Sequence, residues 1–430
     1  MRASIFLRLA AIVAFTALPL DAQTIAITGG TVYPVSGPKI ENGTVIITNG
    51  RITAVGRDVQ IPDGATRIDA RGKWVTPGFI NSATTLGLAE GGGPQFSGGY
   101  NDTNARGEHG ISASFEAWRG INPVSTFFAP ARDEGVTSVV VAGGSGMVSG
   151  KIALIDLLEG RTAGEMVRKG PAAMAGNFDN PSAGETGSRG EYWAKWRSLM
   201  NDVRSYQVRR AEFERGGTRD FLARQVDREA LVPVLAGQLP LLLTVDRASD
   251  ILEAIAFAKE YDIKLWLGGA AEGWMVAREI AAANVPVFTG AMNSIPESFN
   301  SLGQRQENAA MLRAAGVTVI LIGNGPGDAG SFNVRNIRQE AGNAVAYGMG
   351  WEDALRAITL VPAEVMGVSD KIGSIATGRD ANVVIWSGDP FEFSSVAEHV
   401  WVRGQEYKGP SRQDQLLERY RTLPGKPYRP

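Results

Sequence analysis

The chain has no cysteine and only two histidines, His109 and His399, among its 430 residues. The first absence excludes disulfides, thiolate metal sites and cysteine nucleophiles. The second leaves a serine nucleophile short of its usual imidazole base. Long runs of one charge are also missing: 43 basic and 45 acidic residues give a formal net charge of −2. That balance points away from nucleic acid and membrane surfaces and towards small-molecule or protein partners. No glycine-rich phosphate fingerprint follows a strand pattern, which argues against a nucleotide. A hydrophobic content of 44% supports a large core without covalent staples.

Apolar runs are short, and the longest is N-terminal. Arg2 and Arg8 precede or open the stretch Leu9 to Leu20, with small residues at Ala17 and Ala22. This is the layout of a Sec-type signal peptide over residues 1–22, implying export to a periplasmic or secreted location. No segment reaches the roughly 20 apolar residues of a membrane span.

Two textures follow. Short alternating strands separated by Gly and Asn turns fill Thr24 to Asp69 and return in Ala381–Trp386 and Val396–Val402. One small β-sandwich built from residues 23–75 and 373–412 fits this arrangement. Between them, β-branched runs such as Val136–Ala142, Leu241–Val245, Lys264–Leu267, Val285–Thr289 and Val317–Ile322 alternate with helical patterns at Ala248–Tyr261, Ala271–Ala283, Arg305–Ala315 and Trp351–Leu360. Parallel βα units over residues 76–372 follow, closed into a barrel or left as an open doubly wound sheet. Loop insertions are expected near 87–110 and 177–215, the latter leading into a charged helical segment at Glu191–Arg215. Residues 413–430 read as a polar surface tail.

Three motifs carry a family resemblance: Ile68-Asp-Ala-Arg-Gly-Lys-Trp-Val-Thr-Pro-Gly-Phe-Ile80, Thr359-Leu-Val-Pro-Ala-Glu364, and Gly373-Ser-Ile-Ala-Thr-Gly-Arg-Asp-Ala-Asn-Val-Val-Ile-Trp-Ser-Gly-Asp389. They resemble the entry strand, last barrel helix and closing strands of the amidohydrolase superfamily, and most of all its exported imidazolonepropionase-like members. The resemblance implies an α/β fold, a TIM-type (β/α)8 barrel plus the small β-sandwich. It also implies zinc or another divalent metal held by histidines. The His-x-His pair expected after Pro-Gly-Phe-Ile falls on Ala83 and Thr85, the fifth-strand ligand on Thr244, and the sixth-strand ligand near Gly268. The eighth-strand aspartate would lie within Gly323–Gly330, where Asp328 is the sole carboxylate.

Metal-assisted hydrolysis needs a cation to polarise the carbonyl and to generate hydroxide. With these positions altered, no cofactor is expected. The candidate pocket residues are Asp246, Glu272, Asn324, Asp328, Asn333 and Arg335, with Arg338 as a further anion-facing arginine. An Asp246–Arg247 ion pair and a Glu272 carboxylate near the start of its own helix are the plain structural alternatives. Trp266 and Trp274 are expected in barrel core and helix–strand packing. Two functions stay open. One is a non-hydrolytic pseudoenzyme that binds a small molecule or an active relative, as a homo- or hetero-oligomer. The other is a hydrolase acting on carbon–nitrogen bonds with a relocated, carboxylate-based or absent metal.

Overall fold

A computed structural model describes residues 24–90, 100–103, 105, 107–144, 146–213, 221–292, 294–296, 298–323, 329–407 and 412–421. The expected signal peptide, Asn324 and Asp328 lie outside the described residues. No helix among the described residues is long and apolar enough to cross a membrane.

The first layer is an eight-stranded sheet drawn from both ends of the chain. Its strands are β1 (Thr24–Val32), β2 (Ile40–Thr48), β3 (Arg51–Gly56), β4 (Thr66–Asp69) and β5 (Trp74–Pro77). The C-terminal region adds three more at Val383–Trp386, Ala397–Val402 and Gln405–Tyr407. The Val383–Trp386 strand pairs antiparallel with β5, so the two ends of the chain interlock. These strands hydrogen-bond in one continuous order, with β4 branching from β1. Ile25, Ile27, Val45, Ile47, Val75, Val383, Ile385 and Trp401 fill its private core.

The second layer is the barrel. It starts at β6 (Phe79–Thr84); a two-residue pairing of β7 (Ala89–Glu90) with β8 (Tyr100–Asn101) follows. The wall continues through β9 (Val136–Val141), β10 (Val148–Asp156), β11 (Val167–Asn177), β12 (Leu241–Val245), β13 (Leu265–Gly269), β14 (Val287–Thr289) and β15 (Val319–Leu321). The sheet order is β15-β14-β13-β12-β11-β10-β9-β6, nearly closed, with the Gly323 end of β15 beside Asn81 of β6. Seven of these strands run parallel. The exception is β10, antiparallel to both neighbours, a departure from a strict (β/α)8 repeat. The glycine-rich turn between β9 and β10 permits the reversal, since Gly144 sits at φ +86°, a conformation that side chains disfavour.

The lumen is packed by Ile80, Val140, Ile152, Leu154, Ala173, Trp266, Phe288 and Ile320, and plugged from one end by Ala363, Met366 and Ile372. Trp266 stacks obliquely on Phe288 at 5.5 Å, in the core position expected for it. The helix Ala248–Tyr261 forms over the expected residues, burying Ile251, Ala254, Phe257, Ala258 and Tyr261 at helical spacing. The helix Arg189–Phe213 is not merely a charged insertion. Tyr192, Trp196, Leu199, Met200 and Val203 are fully buried on one face, each large side chain contributing roughly 1.5–3 kcal/mol. The described tail residues 414–421 are exposed.

The two layers are held by aromatic and ionic contacts. Trp386 stacks on Phe79 at 5.1 Å and donates its indole N–H to Thr76 Oγ1 at 2.9 Å. Gly135 must be glycine, because a Cβ there would meet the Trp386 ring at 2.4 Å. Asp156, fully buried at the end of β10, accepts from Ser138, Arg168 and Arg403, and Arg168 reaches on to Asp380 at 2.8 Å.

Candidate functional site at the barrel mouth

Strand alternation decides which side chains see the lumen. Leu242 and Trp266 belong to the luminal cluster, so Thr244 and Gly268, two residues further along β12 and β13, share that face. Two observations agree. Thr244 is exposed between buried Leu243 and Val245, and a Cβ on Gly268 would lie 3.4 Å from Thr244 Oγ1.

On β6 the parity is reset. Asn81 pairs with Val139 and Thr84 with Val141, so three steps on β6 match two on β9. This bulge turns Thr84 to the outer face with Val139 and Val141, and its hydroxyl donates to the Val140 carbonyl at 2.9 Å. Ala83 and Thr85 are therefore the residues turned inward. Both are half-buried, and Thr85 abuts Gly330. The four positions expected to hold metal ligands thus share the luminal side of the C-terminal end of the barrel. They offer a methyl, two hydroxyls and a hydrogen atom.

The carboxylates nearby are mostly engaged. Asp246, at the end of β12, accepts from the Ala271 amide at 3.2 Å. Burial, with Asp179 and Glu272 nearby, raises its pKa to about 6. No ion pair with Arg247 forms, contrary to the sequence expectation, because successive residues leaving a strand point apart. Glu272 does not serve its own helix either. Its carboxylate accepts from the Ala248 amide at 3.0 Å, at the start of the preceding helix, and from the Gly303 amide at 2.9 Å. Asp179, not anticipated from sequence, accepts from Arg189 at 3.1 Å and Asn300 at 3.2 Å. Its pKa is raised by burial, an effect opposed by Arg189. The same guanidinium reaches Asp250 at 2.7 Å. Nothing in the sequence joins these residues, which come from four separate segments.

The remaining candidates separate. Asn333 is half-buried and Arg335 exposed on a short turn after β15. Arg338 faces away from the mouth: buried, it pairs with Glu134 at 2.6 Å and donates to the Pro390 and Glu392 carbonyls. Trp274 is half-buried and donates to the Gly303 carbonyl at 2.8 Å. The histidines stand elsewhere. His399 pairs with Glu406 at 2.7 Å and stacks on Trp401 in the small sheet, while exposed His109 meets Glu185 at 3.1 Å.

These donors do not suit the zinc that the fold implies. Among the described residues, no three His, Asp or Glu side chains converge to hold a metal. Ser82 Oγ is buried without a hydrogen-bond partner next to Ala83, but a lone neutral hydroxyl is not a ligand set.

Residues 257–407 match the Amidohydrolase family. The amidohydrolase tasK of Hapsidospora irregularis is 23% identical over 398 residues, covering 84% of this chain and 39% of its own length. The chain thus spans about two fifths of that relative. The imidazolonepropionase of Acidiphilium cryptum is 26% identical over 382 residues, covering 82% of this chain and 89% of its own. Among solved structures, an amidohydrolase from Thermotoga maritima superposes with a TM-score of 0.79 and 28% identity, over 89% of this chain and 99% of that one.

Proposed function

We propose, for a chain that belongs to the amidohydrolase superfamily as an imidazolonepropionase-like protein, that the barrel mouth binds a small organic molecule without metal-assisted hydrolysis. One observation carries this reading. The bulge on β6 and the alternation of β12 and β13 turn Ala83, Thr85, Thr244 and Gly268 into the lumen, and none of the four bears an imidazole or carboxylate. Such a mouth offers neutral side chains to a ligand and no imidazole or carboxylate from these four positions to hold the cation that makes hydroxide.

In this reading the protein is an exported binding member of its superfamily, acting alone or beside an active relative. The test pairs metal analysis of the purified protein with calorimetric titration of cyclic amides and N-acyl amino acids. Metal well below one equivalent, measurable binding and no turnover are the expected results. Near-stoichiometric zinc together with hydrolysis overturns the proposal.

A second reading draws support from Asp246. A carboxyl group whose pKa burial raises to about 6, at the C-terminal end of β12, suits general acid–base work on a carbon–nitrogen bond. Hydrolysis that resists chelators and disappears in Asp246→Asn would favour it.

A further inference from the structure

A cavity lies at the N-terminal end of the barrel, opposite the mouth, and its origin is legible in the strand register. The β11–β12 ladder begins only at Met174 and Leu241, so residues 167–173 of β11 run on below β12 without a neighbour on that side. The notch beneath the start of β12 has a volume of about 440 Å³, within the roughly 300–1,000 Å³ typical of small-molecule sites.

Its walls divide by chemistry. Trp266, Met366, Leu239 and Ala172 line it and are themselves buried, giving an apolar floor. Pro171, Pro233 and Pro240 form part of the rim, three residues with fixed φ and no N–H to satisfy, so the rim is stiff and poor in donors. Lys151, Lys169 and Lys264 complete it, against one carboxylate, Glu229. Glu229 already accepts from the Tyr206 hydroxyl at 2.6 Å and from Gln225 at 3.1 Å. Lys151 lies 3.4 Å from Glu116. Lys169 and Lys264 make no ion pair among the described residues. The cavity therefore combines an apolar slot with two lysines, Lys169 and Lys264, that no ion pair engages among the described residues.

We infer that this notch is a binding site, separate from the barrel mouth, for a small organic monoanion with a flat apolar body. The apolar part would lie against Trp266 and Met366, and the anionic group would meet Lys169 and Lys264. Neutral molecules gain only the apolar contact, whereas fully hydrated anions such as phosphate gain only the charge. Preorganisation by the prolines limits the ordering that binding requires.

The probe is 2-naphthoate, with 2-naphthamide as its neutral twin, titrated calorimetrically into the purified chain. One equivalent of naphthoate is expected to bind, with the amide at least about tenfold weaker, since hydrogen bonds to charged groups exceed neutral ones. The double variant K169E/K264E is expected to weaken naphthoate by at least about tenfold, with far-UV circular dichroism and melting temperature unchanged. Lys264→Met, which keeps the stem and removes the charge, gives a second variant and is expected to lose several-fold affinity. The inference is overturned by an absence of binding at millimolar naphthoate, by equal affinity for acid and amide, or by affinity that survives both variants. Binding abolished only by Thr244→Trp also overturns it, by moving the probe to the barrel mouth. None of these outcomes depends on the metal content or activity of that mouth.

Discussion

The Asp246 carboxylate rests on the backbone amide of Ala271 at 3.2 Å, and among the described residues no cation pairs with it. A group so placed holds its proton more readily folded than unfolded. With a folded pKa of about 6 against an ordinary 3.8, the native chain keeps a proton that the unfolded chain releases between those values. Stability contributed by this group therefore falls as pH rises through that window, and the penalty is complete above about pH 6. Asp246→Asn keeps an acceptor for Ala271 and removes the charge. It should stabilise the protein at pH 7 by on the order of 1–3 kcal/mol and change little below pH 4. Urea unfolding at the two pH values checks this, and equal destabilisation at both would contradict it.

Glu272 ties the first turn of Ala248–Tyr261 to the segment around Gly303, so one side chain governs part of the mouth's shape. Glu272→Ala leaves two amides without acceptors and should cost about 2–4 kcal/mol. Hydrogen exchange should quicken at Ala248 and Gly303 while the small sheet stays protected. Uniform loss of protection would show that the carboxylate has no local role.

If the inward-facing positions are as the β6 bulge places them, histidines there should rebuild a metal site. The variant A83H/T85H/T244H/G268H should take up about one equivalent of zinc, and zinc should raise its melting temperature. Gly268 tolerates a Cβ, because the nearest contacts would lie at 3.4–3.7 Å. A folded variant with no zinc affinity would mean that the four side chains do not converge.

Between the layers, Asp156→Ala removes the buried acceptor that Arg168 and Arg403 share and leaves Arg168 with Asp380 alone. Breaking a buried ion pair from one side should cost about 3–5 kcal/mol. Thermal melts of Asp156→Ala and Asp156→Asn, the second retaining acceptor and shape, check this. Equal melting temperatures for wild type and Asp156→Ala would show the cluster to be energetically idle.

Much of this molecule could be read from its pattern. The helix Ala248–Tyr261 follows from apolar spacing, and β9 from a run that is β-branched except at Ser138 and whose residues are all buried. Strands β10 and β11 could not be read this way. Gly150, Lys151, Lys169, Gly170 and Pro171 interrupt their apolar runs, and pairing with each other, not local propensity, makes them strands. The site was legible only in part. Thr244 and Gly268 follow from the family resemblance, but the Arg189 junction with Asp179, Asp250 and Asn300 exists only once distant segments meet. The reach of Glu272 to the wrong helix and the turning of Arg338 towards Glu134 are likewise tertiary choices, made by the nearest orphan amides and carboxylates.

The pairing of β5 with Val383–Trp386 has a consequence for biogenesis. About three hundred residues separate these partners, so a ribosome finishes the entire barrel region before the first strands can find their final neighbour. Until then β5 presents an unmated edge, the kind of surface that holdase chaperones shield and that invites mispairing between nascent copies. Severing the chain after the barrel would thus disturb its oldest segment as much as its newest.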